Sequence, residues 1–130
     1  MEKPTPSHLT ILVVDDEISF ANALATLLGR DGHTVETADT GTAALHKIRA
    51  RQYDLILCDL RLPELDGQDF YHQLKTEAPN LQQRVMFLTG DILNPASLEF
   101  LEQHNLIWLP KPCCAAQVRE AIQHALRHVA

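Results

Sequence analysis

Four short, nearly continuous apolar runs each lead directly into polar residues. Ile11-Leu12-Val13-Val14 is followed by Asp15-Asp16, and Leu55-Ile56-Leu57-Cys58 by Asp59. Val85-Met86-Phe87-Leu88 leads to Thr89, and Leu106-Ile107-Trp108-Leu109 to Pro110-Lys111-Pro112. Their length and lack of polar alternation predict strands buried on both faces, and His33 to Thr37 reads as a weaker strand. The segments between them carry apolar residues at helical spacing. One helix is expected from about Glu17 to Gly29, with Ile18, Ala21, Leu24, Ala25 and Leu28 on one face and Gly32 placed to end it. Thr40 is the N-cap of a second, which buries Ala44, Leu45 and Ile48. A third begins near Asp66-Gly67, sets Phe70 and Leu74 one turn apart, and stops before Pro79. Asn94 and Pro95 open a fourth that presents Leu98 and Leu101. The fifth carries Val118, Ile122, Ala125 and Val129.

Strands alternating five times with amphipathic helices predict an α/β fold, a doubly wound parallel sheet covered on both faces. Right-handed crossovers leave few topologies, and a flavodoxin-like (βα)5 sheet in the order 2-1-3-4-5 suits five units. Residues 1–8 read as an N-terminal tail or linker and residues 9–130 as one domain. In a parallel sheet the carboxyl ends of the strands share one edge. Asp15, Asp16, Asp59, Thr89 and Lys111 therefore meet in one pocket although they are far apart in sequence.

Composition narrows the classes. The 130 residues are 45% hydrophobic and 22% charged, ordinary for a globular domain. No apolar run approaches the roughly 18 residues of a membrane span, and the start lacks a signal peptide's apolar stretch. A formal net charge of −6 argues against nucleic acid as a direct partner. Three cysteines give no disulfide framework: Cys58 reads as a small core residue, and the adjacent Cys113-Cys114 lack zinc-site spacing. Free thiols fit the cytoplasm. Of the seven histidines, His124 and His128 sit one turn apart without a third ligand, and His46 and His72 are expected to face solvent.

Three converging carboxylates repel one another unless a cation sits among them. Oxygen donors without thiol or imidazole suit a hard ion such as Mg²⁺. With Mg²⁺ and Lys111 the site is near neutral. A phosphoryl group arriving at Asp59 then meets a metal and an ammonium, the two features phosphoryl transfer needs most. Any one of these residues could equally cap a helix or turn; the set as a whole is what points to phosphoryl chemistry.

Asp15-Asp16, Asp59 with the following Leu60-Arg61-Leu62-Pro63-Glu64-Leu65-Asp66-Gly67, Thr89-Gly90 and Lys111-Pro112 together resemble the response-regulator receiver (CheY-like) family, from about Leu9 to Val129. The resemblance implies a phosphorelay module of two-component signalling, a phosphoprotein rather than a turnover enzyme. Asp59 is its phosphoacceptor, supplied by a phosphohistidine of a sensor or hybrid histidine kinase or a phosphotransfer protein. It implies Mg²⁺ held directly by Asp16 and Asp59, through water by Asp15, and by the backbone carbonyl of Arg61. Lys111 pairs with the carboxylate and then the phosphoryl oxygens, and Thr89 donates its hydroxyl to them. Pro112 follows a cis peptide, and Pro63 and Gly67 shape the loop after the third strand, Gly67 by backbone freedom. Phosphorylation would draw in Thr89 and let Trp108 rotate. This alters a surface of the fourth helix, fifth strand and fifth helix (Leu98, Glu99, Glu102, Trp108, Arg119) that could also pair two copies. Phe87 to Asp91 and Phe100-Leu101-Glu102 resemble receivers attached to hybrid histidine kinases. A haloacid-dehalogenase-type hydrolase would need Asp-x-Asp after the first strand, and a flavin binder a Ser/Thr/Gly-rich loop there; Asp15-Asp16-Glu17 is neither. The intact Asp59, Thr89 and Lys111 set argues against a phosphorylation-independent binding module.

Overall fold

The apolar runs become strands in the computed structural model, which describes residues 8–90, 94–111 and 115–129. β1 (Thr10–Val14), β2 (Thr34–Ala38), β3 (Leu55–Cys58), β4 (Val85–Thr89) and β5 (Ile107–Pro110) form one sheet in the order β2-β1-β3-β4-β5, with every pairing parallel. This is the flavodoxin-like topology expected from the pattern. β1, β3 and β4 are central and almost wholly buried, whereas the edge strands β2 and β5 are largely half-buried.

Strand alternation sorts the core into two layers. Ile11, Val13, Leu55, Leu57, Met86 and Leu88 point toward α1 (Ile18–Arg30) and α6 (Ala115–Val129). Leu12, Val14, Ile56, Cys58, Val85 and Phe87 point toward α2 (Gly41–Ala50), α3 (Gly67–Glu77) and α5 (Pro95–Gln103). A one-turn helix, α4 (Pro79–Gln82), was not expected. Pro79 ends the α3 pattern as predicted, and the same residue then opens a new turn, because its missing N–H costs nothing at a first helical position. The expected fourth and fifth helices are therefore α5 and α6.

Helix ends follow their caps. Thr40 accepts a hydrogen bond from Ala43 N–H at 2.9 Å, and Asn94 from Ala96 N–H at 2.9 Å. After α1, Gly32 takes φ 97° while its N–H reaches Gly29 O, and His33 N–H reaches Leu28 O. That pair of bonds satisfies carbonyls the helix leaves open, and the left-handed turn suits glycine. Ile18 corrects the expected buried face of α1, for its side chain is 63% exposed. As the first helical residue it lies at the helix entry, a turn before α1 meets the core.

Candidate functional site

Alternation explains which polar residues meet. Continued one residue past each strand, the parity of Ile11 and Val13 places Asp15 on the α1/α6 face. That of Leu55 and Leu57 places Asp59 there, and that of Ile107 and Leu109 places Lys111 there. The Lys111 Nζ donates to Asp15 Oδ2 at 2.8 Å, Asp59 Oδ2 at 3.0 Å and Glu17 Oε1 at 2.7 Å. Asp15 and Asp59 are buried, and the Lys111 side chain is only 11% exposed. Residues separated by as many as 96 positions thus share one ammonium.

Asp16 has the opposite parity and is exposed. It lines the mouth of the cleft with Glu17, Asp59, Arg61, Gly90 and Lys111, while Glu17 takes the third carboxylate position beside the lysine. The sequence reading passed over Glu17. It occupies the N-cap of α1 but makes no side-chain cap bond, because its carboxylate turns to Lys111. Its own N–H is held by Asp15 Oδ1 at 2.9 Å. The available signal was a third consecutive acidic residue at a helix start, where Glu is a poor cap.

Burial pushes the Asp59 carboxyl above its ordinary value, against the pull of the Arg61 N–H and the Lys111 ammonium. Burial alone would lower Lys111, but hydrogen bonds to Asp15, Glu17 and Asp59 more than reverse it, so the ammonium is held charged far above neutral pH. Phe20 adds a ring face 4.6 Å from Nζ. Asp15, Glu17 and Asp59 each bring a carboxylate oxygen within 4.8 Å of the others. That all-oxygen donor set fits a hard divalent cation, so these residues could hold a metal.

The β3–α3 loop fixes Asp59 from behind. Arg61 N–H donates to Asp59 Oδ1 at 3.1 Å, and Gly67 N–H to Leu60 O at 2.9 Å. Backbone freedom is not the reason for Gly67; in this loop Glu64 takes the left-handed conformation, at φ 68°. Gly67 is needed because a Cβ there would stand 2.6 Å from Asp59 O and 2.7 Å from Leu60 Cα. Thr89 is fully buried at the end of β4, and its carbonyl accepts from Lys111 N–H at 2.9 Å. It shares the parity of Val85 and Phe87, and Trp108, paired in register with Phe87, packs half-buried against that same layer. Arg119, expected on the output surface, instead pairs with Asp31 at the end of α1, at 2.6 Å. Cys58 is a fully buried thiol, pushed well up by burial, as a core residue should be. Pro112, expected to follow a cis peptide, lies outside the described residues, as do Cys113, Cys114 and Asp91.

Residues 11–123 match the family described as the response regulator receiver domain. The chain belongs to that family. It is thus a receiver module of two-component signalling. Over 121 residues it is 36% identical to the transcriptional regulatory protein ZraR of Klebsiella oxytoca, covering 93% of this chain and 27% of that protein. The crystal structure of NtrX from Brucella abortus in complex with ADP superposes with a TM-score of 0.84 at 27% identity, over 94% of this chain and 28% of the other. The solution structure of the beryllofluoride-activated NtrC4 receiver domain dimer gives 0.79 at 27% identity, over 93% and 98%. The chain spans about a quarter of the length of the ZraR relatives it matches. Among the described residues no helix is long and apolar enough to cross a membrane.

Proposed function

We propose that this receiver takes a phosphoryl group on Asp59 from a phosphohistidine, with Mg²⁺ as cofactor. Asp15, Asp16, Asp59 and the Arg61 carbonyl are the proposed holders of the ion, and Glu17 offers one more oxygen at the same mouth. One observation carries the reading. Asp59 is a buried carboxylate at a cleft opening to solvent, with the Lys111 ammonium, held charged by its carboxylate partners, 3.0 Å away. When bound, Mg²⁺ supplies a hard cation that offsets charge on the carboxylates and on the incoming phosphoryl oxygens.

In this reading an Asp59 carboxylate oxygen attacks phosphorus. The phosphorus–nitrogen bond of the donor imidazole breaks, its electron pair stays on the ring nitrogen, and the ring takes a proton from water. Lys111 transfers from carboxylate to phosphoryl oxygen, and Thr89 donates its hydroxyl to another. The shared layer of Thr89 and Trp108 supports the proposed switch, in which movement of Thr89 lets Trp108 turn inward and reshapes the α5–β5–α6 surface. The activated NtrC4 receiver is a dimer, and α5–β5–α6 is the proposed self-pairing face of this chain. The donor is a sensor kinase, a hybrid kinase or a phosphotransfer protein. Three settings are open to such a receiver: a stand-alone regulator, the receiver of a hybrid kinase as the sequence suggested, or that of a regulator of the ZraR kind, and the 36% identity favours the last. Residues 9–130 are the proposed extent of the domain.

The test is the fluorescence of Trp108, the single tryptophan, during incubation with acetyl phosphate and Mg²⁺. A change that needs Mg²⁺ and is absent in Asp59→Asn supports both acceptor and switch. An unchanged signal on a demonstrably phosphorylated protein removes Trp108 from the mechanism.

A further inference from the structure

Away from the carboxylate cleft, two histidines from separate helices face each other. His72 on α3 is exposed and His104, the C-cap of α5, is half-buried; their ring centroids lie 5.4 Å apart with planes at 72°. The same two aromatic rings flank both imidazoles. Phe100 is 5.8 Å from His72 and 5.0 Å from His104, and Tyr71 is 5.8 Å and 5.3 Å from them. These ring contacts keep half-buried His104 close to His72, which lowers the ordering cost of binding.

We infer that His72 and His104 form a second metal site, for a borderline divalent cation of the Zn²⁺, Cu²⁺ or Ni²⁺ class, which clamps α3 to α5. With a metal–nitrogen bond of about 2 Å and ~1 Å more to each ring centre, two imidazoles on one tetrahedral ion have centroids about 5 Å apart. The observed 5.4 Å is close to that separation. Imidazole nitrogens select this class of ion and bind Mg²⁺ poorly, so the pair and the carboxylate cleft sort different cations. Water completes the coordination, since no third His, Cys, Asp or Glu among the described residues groups with the pair.

The site has a functional position. α5 packs Phe100 and Leu101 into the sheet face that carries Phe87, against which Trp108 also packs. Resting on the switching proposed above, an ion bridging His72 and His104 would hold α5 against α3 and oppose rearrangement of that face.

The test is calorimetric titration of the chain with Zn²⁺ under saturating Mg²⁺, with Cys113 and Cys114 replaced by serine to remove competing thiols. One Zn²⁺ should bind per chain, with His72→Gln and His104→Gln each weakening it about tenfold or more. His46→Gln, on α2, should leave the affinity unchanged. In protein with native histidines, the ring nitrogen resonances of His72 and His104 should shift together at the same stoichiometry. Equal affinity in the His72 and His104 variants, or shifts confined to other histidines, overturns the site. Because none of these readouts involves Asp59 phosphorylation, they stand or fall separately from the phosphoacceptor reading.

Discussion

At the residue scale, the site is built by parity and burial more than by sequence proximity. Asp15, Asp59 and Lys111 each continue the alternation of their strand onto one face, and Asp16, one residue along, does not. The sequence displayed Asp15, Asp59, Thr89 and Lys111 because each follows a recognisable apolar run. It did not reveal Glu17, whose role depends on a helix-entry angle that puts its carboxylate beside Lys111. Two predictions belong here. Without metal, the Asp59 carboxyl titrates above its ordinary 3.8, so its ionised form opposes folding once pH exceeds that range. Asp59→Asn is therefore expected to stabilise the metal-free protein at pH 7, where the native carboxyl must be ionised. The gain fades as pH falls through the raised folded-state value toward the ordinary one, below which the carboxyl is protonated in both folded and unfolded chains. Thermal melts in a chelator across pH check it. Gly67→Ala forces a Cβ onto the Asp59 and Leu60 backbone and should destabilise by about 2 kcal/mol, read from the denaturation midpoint.

At the element scale, strands and helix caps were legible because their signals are local. Four-residue apolar runs, Thr40, Asn94 and Gly32 each specify their own neighbourhood. The short α4 was not, since Pro79 signals a stop and a start equally well. Nor was the meeting of His72 with His104, which depends on how α3 and α5 pack; helical spacing pointed instead to His124 and His128, whose apposition needs no tertiary contact. Ile18 shows the cost of reading a face from periodicity alone, because its place at the α1 entry leaves it exposed beside Glu17. An apolar side chain exposed one residue after Glu17, which lines the cleft, suits contact with a protein donor, not a small one. Ile18→Ser should slow transfer from a phosphorylated donor protein about tenfold, a loss of one well-packed contact. Labelling by acetyl phosphate should stay unchanged. Paired rate measurements with the two donors check this, and equal slowing with both would place Ile18 in the chemistry instead.

At the scale of the whole molecule, the order β2-β1-β3-β4-β5 brings the ends of β1, β3, β4 and β5 side by side on one edge, and it was readable because buried parallel strands leave near-continuous apolar runs. The fold makes a concentrated charge site that a cation should reinforce. Mg²⁺ at a hundred times its dissociation constant should raise stability by about 2.7 kcal/mol. Asp59→Asn should lose most of that gain in melts with and without the ion. The central claim is that Asp59 accepts the phosphoryl group, and intact-mass spectrometry after incubation with acetyl phosphate and Mg²⁺ tests it most directly. The account predicts one phosphoryl adduct on the wild-type chain, dependent on Mg²⁺ and missing from Asp59→Asn. An adduct that persists in Asp59→Asn, or none on either protein, would contradict it.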